Sequence, residues 1–168
     1  TVSVNALLDD MAQVLQIQPF MSHVRFDMVL DAQQEKIVVD PNQLRQVFLN
    51  LIINAADAIA SKEAGSRGEL IVTTENSCEE LHDADSGKTW LHVCFKDNGP
   101  GISEENLPNV FDPFFTTKEP GKGTGLGLSV SFMIVESVGG RMWVESNPGQ
   151  GTVMTVLLPV MEGDCSSR

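Results

Sequence analysis

Residues 40–61 read DPNQLRQVFLNLIINAADAIAS, and this stretch decides the fold. Aspartate is a preferred N-cap residue and proline is favoured at the first helical position, so Asp40 and Pro41 predict a helix that runs to about Ser61. One broad face of this helix is apolar: it carries Leu44, Val47, Phe48, Leu51, Ala55, Ala58 and Ile59. A helix with such a face is expected to pack on the core of a domain.

The same helix carries a narrow polar stripe formed by Asn50, Asn54 and Asp57, spaced i, i+4 and i+7. A solvated face would usually carry lysine, glutamate and arginine, whereas this stripe holds two amides and one acid. Two interpretations are open: an ordinary polar surface and a row that faces a ligand. In the second, an asparagine oxygen is a hard ligand for Mg²⁺, which takes few protein ligands and completes its shell with phosphates and water.

Hydrophobic periodicity and turn residues place the remaining elements on either side of this helix. The predicted elements are a helix over residues 3–17, strands over 24–30, 36–39, 69–76 and 89–96, a helix over 124–138, and strands over 141–146 and 152–158. Pro19 ends the first helix, and Gly139 with Gly140 ends the last one. The strands at 69–76 and 89–96 are expected to form an antiparallel pair with a polar hairpin loop between them.

Residues 97–127 form a long loop with little periodicity, six glycines and four prolines, interrupted by a helical turn near Glu104. Loops of this length inside a compact domain are usually functional. The segment from Asp97 to Ile102 follows a strand. It is either a plain turn or a site in which the acid accepts a hydrogen bond from an adenine amino group, with glycines that let the backbone approach the ring.

Two further segments of this loop could contact a ligand. Residues 111–118 read FDPFFTTK, and their aromatics either staple the loop to the core or form a lid that brings Lys118 to an anion. Residues 121–128 read GKGTGLGL and open a helix, where bare N–H groups and the helix dipole favour phosphate. The segment fits neither a Walker A loop nor the Rossmann fingerprint, because Gly123 follows Lys122 and Leu128 stands in place of the third glycine.

Length and charge restrict the class of protein. The 168 residues suffice for one domain, and 42% hydrophobic with 20% charged residues is typical of a globular chain. A net charge of −12 opposes binding to nucleic acid and to anionic membrane, so neither contact is expected. A nucleotide site would need a metal and a few well-placed lysines. The three cysteines argue against a disulfide framework or a zinc site and favour a cytoplasmic location.

The four segments on the helix and in the loop resemble, in this order, the N, G1, F and G2 boxes of the catalytic domain of sensor histidine kinases. This domain is a branch of the superfamily that includes gyrase and MutL. With the Gly149-Gln150-Gly151-Thr152 segment of the last hairpin, the resemblance spans roughly residues 43–158. Residues 111–118 are particularly similar to the nitrogen-regulation sensors of the NtrB type.

The resemblance implies the fold class. It is an α/β (α+β) two-layer sandwich of the Bergerat type, in which helices cover one face of a mixed, mainly antiparallel sheet and ATP lies between helices and lid. Residues 21–160 are expected to form the ATP-binding catalytic domain and residues 161–168 a tail. Residues 1–20 are expected to form a leading helical segment that follows a missing phosphoacceptor domain.

The resemblance also implies the site. Asn54 is the Mg²⁺ ligand, Asn50 lies near the phosphates, Asp97 binds adenine and Thr152 supports that contact. The residues expected to bind ATP are Asn50, Asn54, Asp57, Asp97, Gly99, Gly101, Ile102, Phe111, Thr117, Lys118, Lys122, Gly123, Thr124, Gly125, Leu126, Gly127, Leu128 and Thr152. The cofactors are ATP and Mg²⁺.

One position separates the branches of the superfamily. The ATPase branch has a general-base glutamate one turn before the metal asparagine, where this chain has Asn50, and an amide cannot take the proton from water. The expected function is therefore transfer of the γ-phosphate to a histidine on a dimerisation and phosphoacceptor domain, and from there to a response regulator. The alternatives are a serine kinase of the anti-sigma type and a nucleotide-binding module without catalysis.

The acceptor histidine is expected to lie outside this chain. His23, His82 and His92 lack the helical pattern of a phosphoacceptor, so all three are interpreted as structural or surface residues, and no catalytic residue is assigned within the chain. The domain alone is expected to be a monomer with little activity.

Overall fold

The computed structural model describes residues 1–62, 67–78 and 88–164, and in the last three of these only the backbone. The helices are α1 (Val4–Leu15), α2 (Pro41–Ala60) and α3 (Gly127–Ser137). The strands are β1 (Val2–Ser3), β2 (Val24–Leu30), β3 (Lys36–Ile37), β4 (Gly68–Ser77), β5 (Lys88–Asp97), β6 (Arg141–Ser146) and β7 (Thr152–Asp164). Short 3-10 turns occur at Pro19–Met21 and Leu107–Asn109.

Five strands form the main sheet in the order β2-β4-β5-β7-β6. The pair β2/β4 is parallel and the other three pairs are antiparallel. The apolar faces of the three helices and one face of this sheet share a single core, in which Phe48 of α2 and Phe95 of β5 lie with ring centroids 5.6 Å apart. The two-layer sandwich with a mixed, mainly antiparallel sheet is confirmed.

Helix α2 forms where the sequence predicts it. Asp40 has an extended backbone and its Oδ1 accepts a hydrogen bond from the N–H of Asn42 at 2.8 Å, while Pro41 occupies the first turn. The predicted apolar face is buried, with Val47 and Phe48 fully enclosed. Full burial of one such side chain stabilises a fold by about 1.5 to 3 kcal/mol, so this face anchors α2 to the sheet and fixes the direction of its polar stripe.

Two helix ends differ from the prediction. Helix α1 stops at Leu15, so Ile17 does not join the core and is 80% exposed, whereas Val14 is helical but lies on the outer face of α1 and is 58% exposed. Helix α3 begins at Gly127 instead of residue 124, because Gly125 has a φ of +67°, a left-handed conformation that no helical residue adopts. The residues before Gly127 therefore belong to the loop.

The strand predictions need two corrections. Strand β3 covers only Lys36–Ile37 and pairs with β1, which was not predicted, in a separate two-stranded sheet. Strand β7 continues to Asp164, into the expected tail, because its far end pairs with Lys88 of β5. The helical turn expected near Glu104 is confirmed, because the N–H groups of Asn106 and Leu107 both donate to the carbonyl oxygen of Ser103, and the 3-10 turn Leu107–Asn109 follows it. Most of the predicted hairpin loop, residues 79–87, lies outside the described residues.

The cysteines behave differently from the expectation. Cys94 is a free, half-buried thiol, but Cys78 is disulfide-bonded; Cys165 lies outside the described residues. An odd number of cysteines only shows that not all of them are paired within the chain. It does not exclude a single disulfide, so the number of cysteines could not predict the bridge at Cys78. Among the helices of the described ranges, none is long and apolar enough to cross a membrane.

Candidate functional site

Asn50 ties α2 to the beginning of α3. Its Nδ2 donates to the carbonyl oxygen of Gly127 at 3.2 Å and to Oγ of Ser131 at 3.1 Å. Ser131 is fully buried, so this amide is held at a fixed position between the two helices. Sequence spacing gave no sign of Ser131, which lies on a helix face formed by a distant part of the chain.

Asn54, one turn further along α2, is in a different situation. Its side chain is half-buried and has no hydrogen-bond partner within the part of the chain that the structure describes. A half-buried amide that no described residue engages is reached by solvent and can take up a ligand, so the residue fits a cation or phosphate contact. The described ranges contain no group of three or more His, Cys, Asp or Glu that could hold a metal, so a cation at Asn54 would depend on phosphates for its remaining ligands.

Asp57, the third member of the stripe, pairs with the loop. Its Oδ2 accepts a hydrogen bond from Nζ of Lys118 at 2.5 Å, and both side chains are partly exposed. This ion pair holds the segment 111–118 against α2. Exposed ion pairs stabilise a fold by only about 0 to 1 kcal/mol, so a bound anion could replace the carboxylate of Asp57 as the partner of Lys118.

Asp97 is the last residue of β5 and is only 6% exposed. Its Oδ1 accepts a hydrogen bond from the N–H of Gly99 at 2.8 Å. Burial raises the pKa of the carboxyl above its ordinary value, and the backbone N–H groups of Gly99 and Thr152 and the charge of Lys62 lower it in part. A carboxylate kept at a buried strand end despite this cost is typical of a functional site.

Close backbone packing fixes the position of Asp97. Thr152 lies opposite it on β7. Gly151 has a φ of +85°, and a Cβ there would overlap the carbonyl oxygen of Asp97, so only glycine fits. Ser146 joins these parts: its Oγ accepts from the N–H of Ile102, donates to the carbonyl oxygen of Gly151 and contacts Oγ1 of Thr152 at 2.9 Å. Sequence reasoning missed Ser146, because the β6/β7 register brings it here.

The glycine-rich segment leads into α3. Leu126, the N-cap residue, makes no side-chain capping bond, so the N–H groups of the first turn lack a side-chain cap. Gly127, the first helical residue, lies beside Asn50, and Gly125 packs against the backbone of Phe114, whose N–H donates to the carbonyl oxygen of Gly125 at 2.8 Å. An uncapped helix start beside an amide is a suitable place for an anion.

The aromatic segment is divided between core and surface. Phe111 packs on Phe132 of α3 with ring centroids 5.2 Å apart, so this aromatic side chain fastens the loop to the core. Phe114 is 74% exposed. Thr117 is exposed, and Lys122 is exposed and forms an ion pair with Glu119 at 2.6 Å.

The structure brings the predicted residues together in three groups. One is the α2 stripe with Lys118 and Gly127. The second is Asp97 with Thr152 and Gly99, where a Cβ on Gly99 would press on Ala58 of α2 at 3.1 Å. The third is the loop of Gly123, Thr124, Gly125 and Leu126, with Leu128 partly buried on the core beyond it. Gly101 packs on the β6–β7 turn and Ile102 on Ser146, so these two support Asp97 from behind.

Comparison with known proteins agrees with this geometry. The family described as histidine kinase-, DNA gyrase B- and HSP90-like ATPase matches residues 39–162. Sporulation kinase E of Bacillus subtilis is 35% identical over 159 residues, which are 95% of this chain and 19% of that protein. The nucleotide-free catalytic domain of the histidine kinase ThkA has a TM-score of 0.73 at 28% identity, with 95% of this chain and 96% of that chain covered.

A second structure of ThkA, in complex with the response regulator protein TrrA, has a TM-score of 0.69 at 25% identity and covers 95% of this chain and 41% of the kinase chain. The chain thus spans about a fifth of Sporulation kinase E and less than half of that kinase chain. The match of one family over most of the chain, with the histidine kinase relatives, settles the class. The chain belongs to the family of histidine kinase-, DNA gyrase B- and HSP90-like ATPases, and it is an ATP-binding catalytic domain of the histidine kinase type.

Proposed function

We propose that this domain holds Mg²⁺-ATP and transfers its γ-phosphate to a histidine on a phosphoacceptor domain of the same protein. The amide of Asn50 carries this proposal. It stands one turn before Asn54, and its Nδ2 is engaged with α3. An amide cannot accept a proton, so this position cannot activate water. The domain therefore keeps ATP intact until another nucleophile is presented.

Three parts of the site would hold the nucleotide. Asp97 accepts a hydrogen bond from the adenine amino group, and the uncapped start of α3 at Gly127 faces the phosphates. Asn54 offers Mg²⁺ an amide oxygen that no other described residue engages. When bound, the cation neutralises charge on the phosphates, which this acidic chain would otherwise repel. Lys118 and Lys122 add mobile positive charge from the loop.

The first prediction concerns turnover. The purified chain is expected to bind Mg²⁺-ATP but to release inorganic phosphate at close to the rate seen in buffer, because Asn50 offers no base and no acceptor histidine is present. Adding a separately purified phosphoacceptor domain of a sensor kinase with γ-labelled ATP is expected to produce an acid-labile phosphoryl label on that domain.

The control for this experiment is the same acceptor domain with its histidine replaced by alanine, which is expected to stay unlabelled. Steady phosphate release by the chain alone, lost in Asn54→Ala, would overturn the proposal. An acid-stable label on serine or threonine would favour a serine kinase of the anti-sigma type, and binding without any transfer would favour a module without catalysis.

The second prediction concerns the ion pair of Lys118 and Asp57. If Lys118 leaves this pair to contact phosphate, the two partners act with opposite signs. Lys118→Met is expected to weaken ATP binding about two- to fivefold, whereas Asp57→Asn is expected to strengthen it or leave it unchanged, because the lysine is then released and a negative charge is removed. Calorimetry at low ionic strength measures both. Equal losses in both variants would mean that the pair acts only by holding the loop.

The partners and the location follow from the same function. The parent protein is expected to pass the phosphoryl group to a response regulator, as the complex of ThkA with TrrA suggests by analogy. The acidic domain itself is expected to be monomeric and to bind neither nucleic acid nor membrane. A cytoplasmic location fits ATP as substrate, and in that compartment the disulfide at Cys78 would be reduced.

A further inference from the structure

The turn that follows Asp97 is fixed by the side chain and backbone of Asn98. The backbone N–H of Asn98 donates to the carbonyl oxygen of Glu69 at 3.2 Å, and its Oδ1 accepts from the N–H of the same residue at 2.8 Å. Its Nδ2 donates to the carbonyl oxygen of Arg67 at 2.8 Å. Three bonds therefore attach Asn98 to the start of β4, and both polar atoms of its side chain are engaged there.

The fourth bond of Asn98 comes from a charged side chain. Nζ of Lys62 donates to the carbonyl oxygen of Asn98 at 2.8 Å. Lys62 follows the C-terminal end of α2 and is half-buried. Its ammonium group is thus held one residue away from the buried carboxylate of Asp97, and its field acts on that carboxylate. Charges in such partly buried positions are screened less than charges at the surface.

The surroundings of Asp97 contain little other charge. The residues opposite it on the neighbouring strands are Leu70 and Thr152. Asp57, on the same helix that leads to Lys62, is paired with Lys118. Lys96 precedes Asp97 on β5, but its side chain is exposed and belongs to the other face of the sheet. Within the described ranges, Lys62 is the charged group that the structure directs at this carboxylate.

We propose that Lys62 is a positioning residue for base selection: its ammonium group holds the carbonyl oxygen of Asn98 and places a positive charge one residue from the carboxylate that accepts the adenine amino group. This inference rests on the proposed function of Asp97. A purely structural role of Lys62, as a fourth support of Asn98, would lower affinity equally at every pH. An electrostatic role would change affinity mainly where Asp97 titrates.

The test is the affinity for ATP between about pH 5.5 and 8.5, measured by calorimetry. Loss of the Lys62 charge raises the pKa of Asp97 further, so Lys62→Met is expected to weaken ATP binding about two- to fivefold at the acidic end and less at the alkaline end. Lys62→Arg keeps the charge and is expected to show the same pH profile of ATP affinity as the wild type. Lys96→Met removes a charge next to Asp97 on the opposite face of the sheet and is expected to leave ATP affinity unchanged at both ends of the pH range. Titration of the ATP phosphates is common to all variants.

The decisive comparison repeats Lys62→Met in the Asp97→Asn background. There the variant is expected to leave the shape of the pH profile unchanged, because no carboxylate is left to titrate. A loss that is uniform across pH, or one that persists in the Asp97→Asn background, would reduce Lys62 to a support of the turn. If Asp97→Asn alone leaves ATP affinity intact, the assignment of Asp97 itself fails, which is a separate result.

Discussion

Asp97→Asn is expected to weaken ATP binding by about 10- to 150-fold. A hydrogen bond to a charged group contributes roughly 1.5 to 3 kcal/mol, and the adenine amino group would lose such a bond. An ionised carboxylate can only accept hydrogen bonds, so wild-type Asp97 favours the amino group of adenine and opposes the carbonyl oxygen that guanine presents there. The wild type is therefore expected to bind ATP more tightly than GTP by the same factor. Asp97→Asn is expected to reduce this preference, because an amide can donate a hydrogen bond to the carbonyl oxygen of guanine.

Calorimetry with both nucleotides on both proteins measures this difference. The control is the unfolding temperature of both proteins without nucleotide, which shows whether Asp97→Asn changes the stability of the fold. The pKa of Asp97 is raised in the fold by burial, so the stability that its protonation contributes is present at low pH and is lost as pH rises through the folded pKa. At neutral pH the buried charge is a net cost, and Asp97→Asn is expected to unfold at the same temperature as the wild type or higher. Equal binding of GTP and ATP by the wild type would make Asp97 a turn residue only.

The parts of the fold that the sequence predicts are those set by local signals. Asp40 and Pro41 determine the start of α2 through the N-cap and the fixed φ of proline, and the periodicity of its apolar residues determines the buried face. The parallel pairing of β2 with β4 could not be predicted, because it depends on a crossover through α2 and not on any turn between the two strands. The short pairing of β1 with β3 has too few residues to show a pattern.

The same distinction holds in the site. Asn54 and Asp97 could be proposed from their place on a helix face and at a strand end. The partners that hold the site come from distant parts of the chain: Ser131 is 81 positions from Asn50, and Ser146 is 44 positions from Ile102. Small hydroxyl residues in such positions look like any serine on a helix or strand. Tertiary contact alone distinguishes Asn50, which is held by α3, from Asn54, whose amide has no partner among the described residues.

That difference between the two asparagines leads to the second large effect. Asn54→Ala is expected to abolish the part of ATP binding that depends on Mg²⁺ and to lower phosphoryl transfer to an acceptor domain about a hundred- to a thousandfold, the usual loss when one group that stabilises developing charge is removed. Because Asn54 makes no hydrogen bond among the described residues, the variant loses a ligand contact and no internal one. Its unfolding temperature without nucleotide is therefore expected to stay close to that of the wild type.

Calorimetry of ATP binding with Mg²⁺ and with EDTA separates the cation contact from the rest of the site. The wild type is expected to bind ATP more tightly with Mg²⁺, whereas Asn54→Ala is expected to bind equally in both buffers. The matched control is Asn42→Ala, which removes an exposed asparagine side chain from the first turn of the same helix and is expected to keep the Mg²⁺ effect. An Asn54→Ala protein that still gains affinity from Mg²⁺ would place the cation elsewhere, and an unchanged transfer rate would make the polar stripe of α2 an ordinary solvated face.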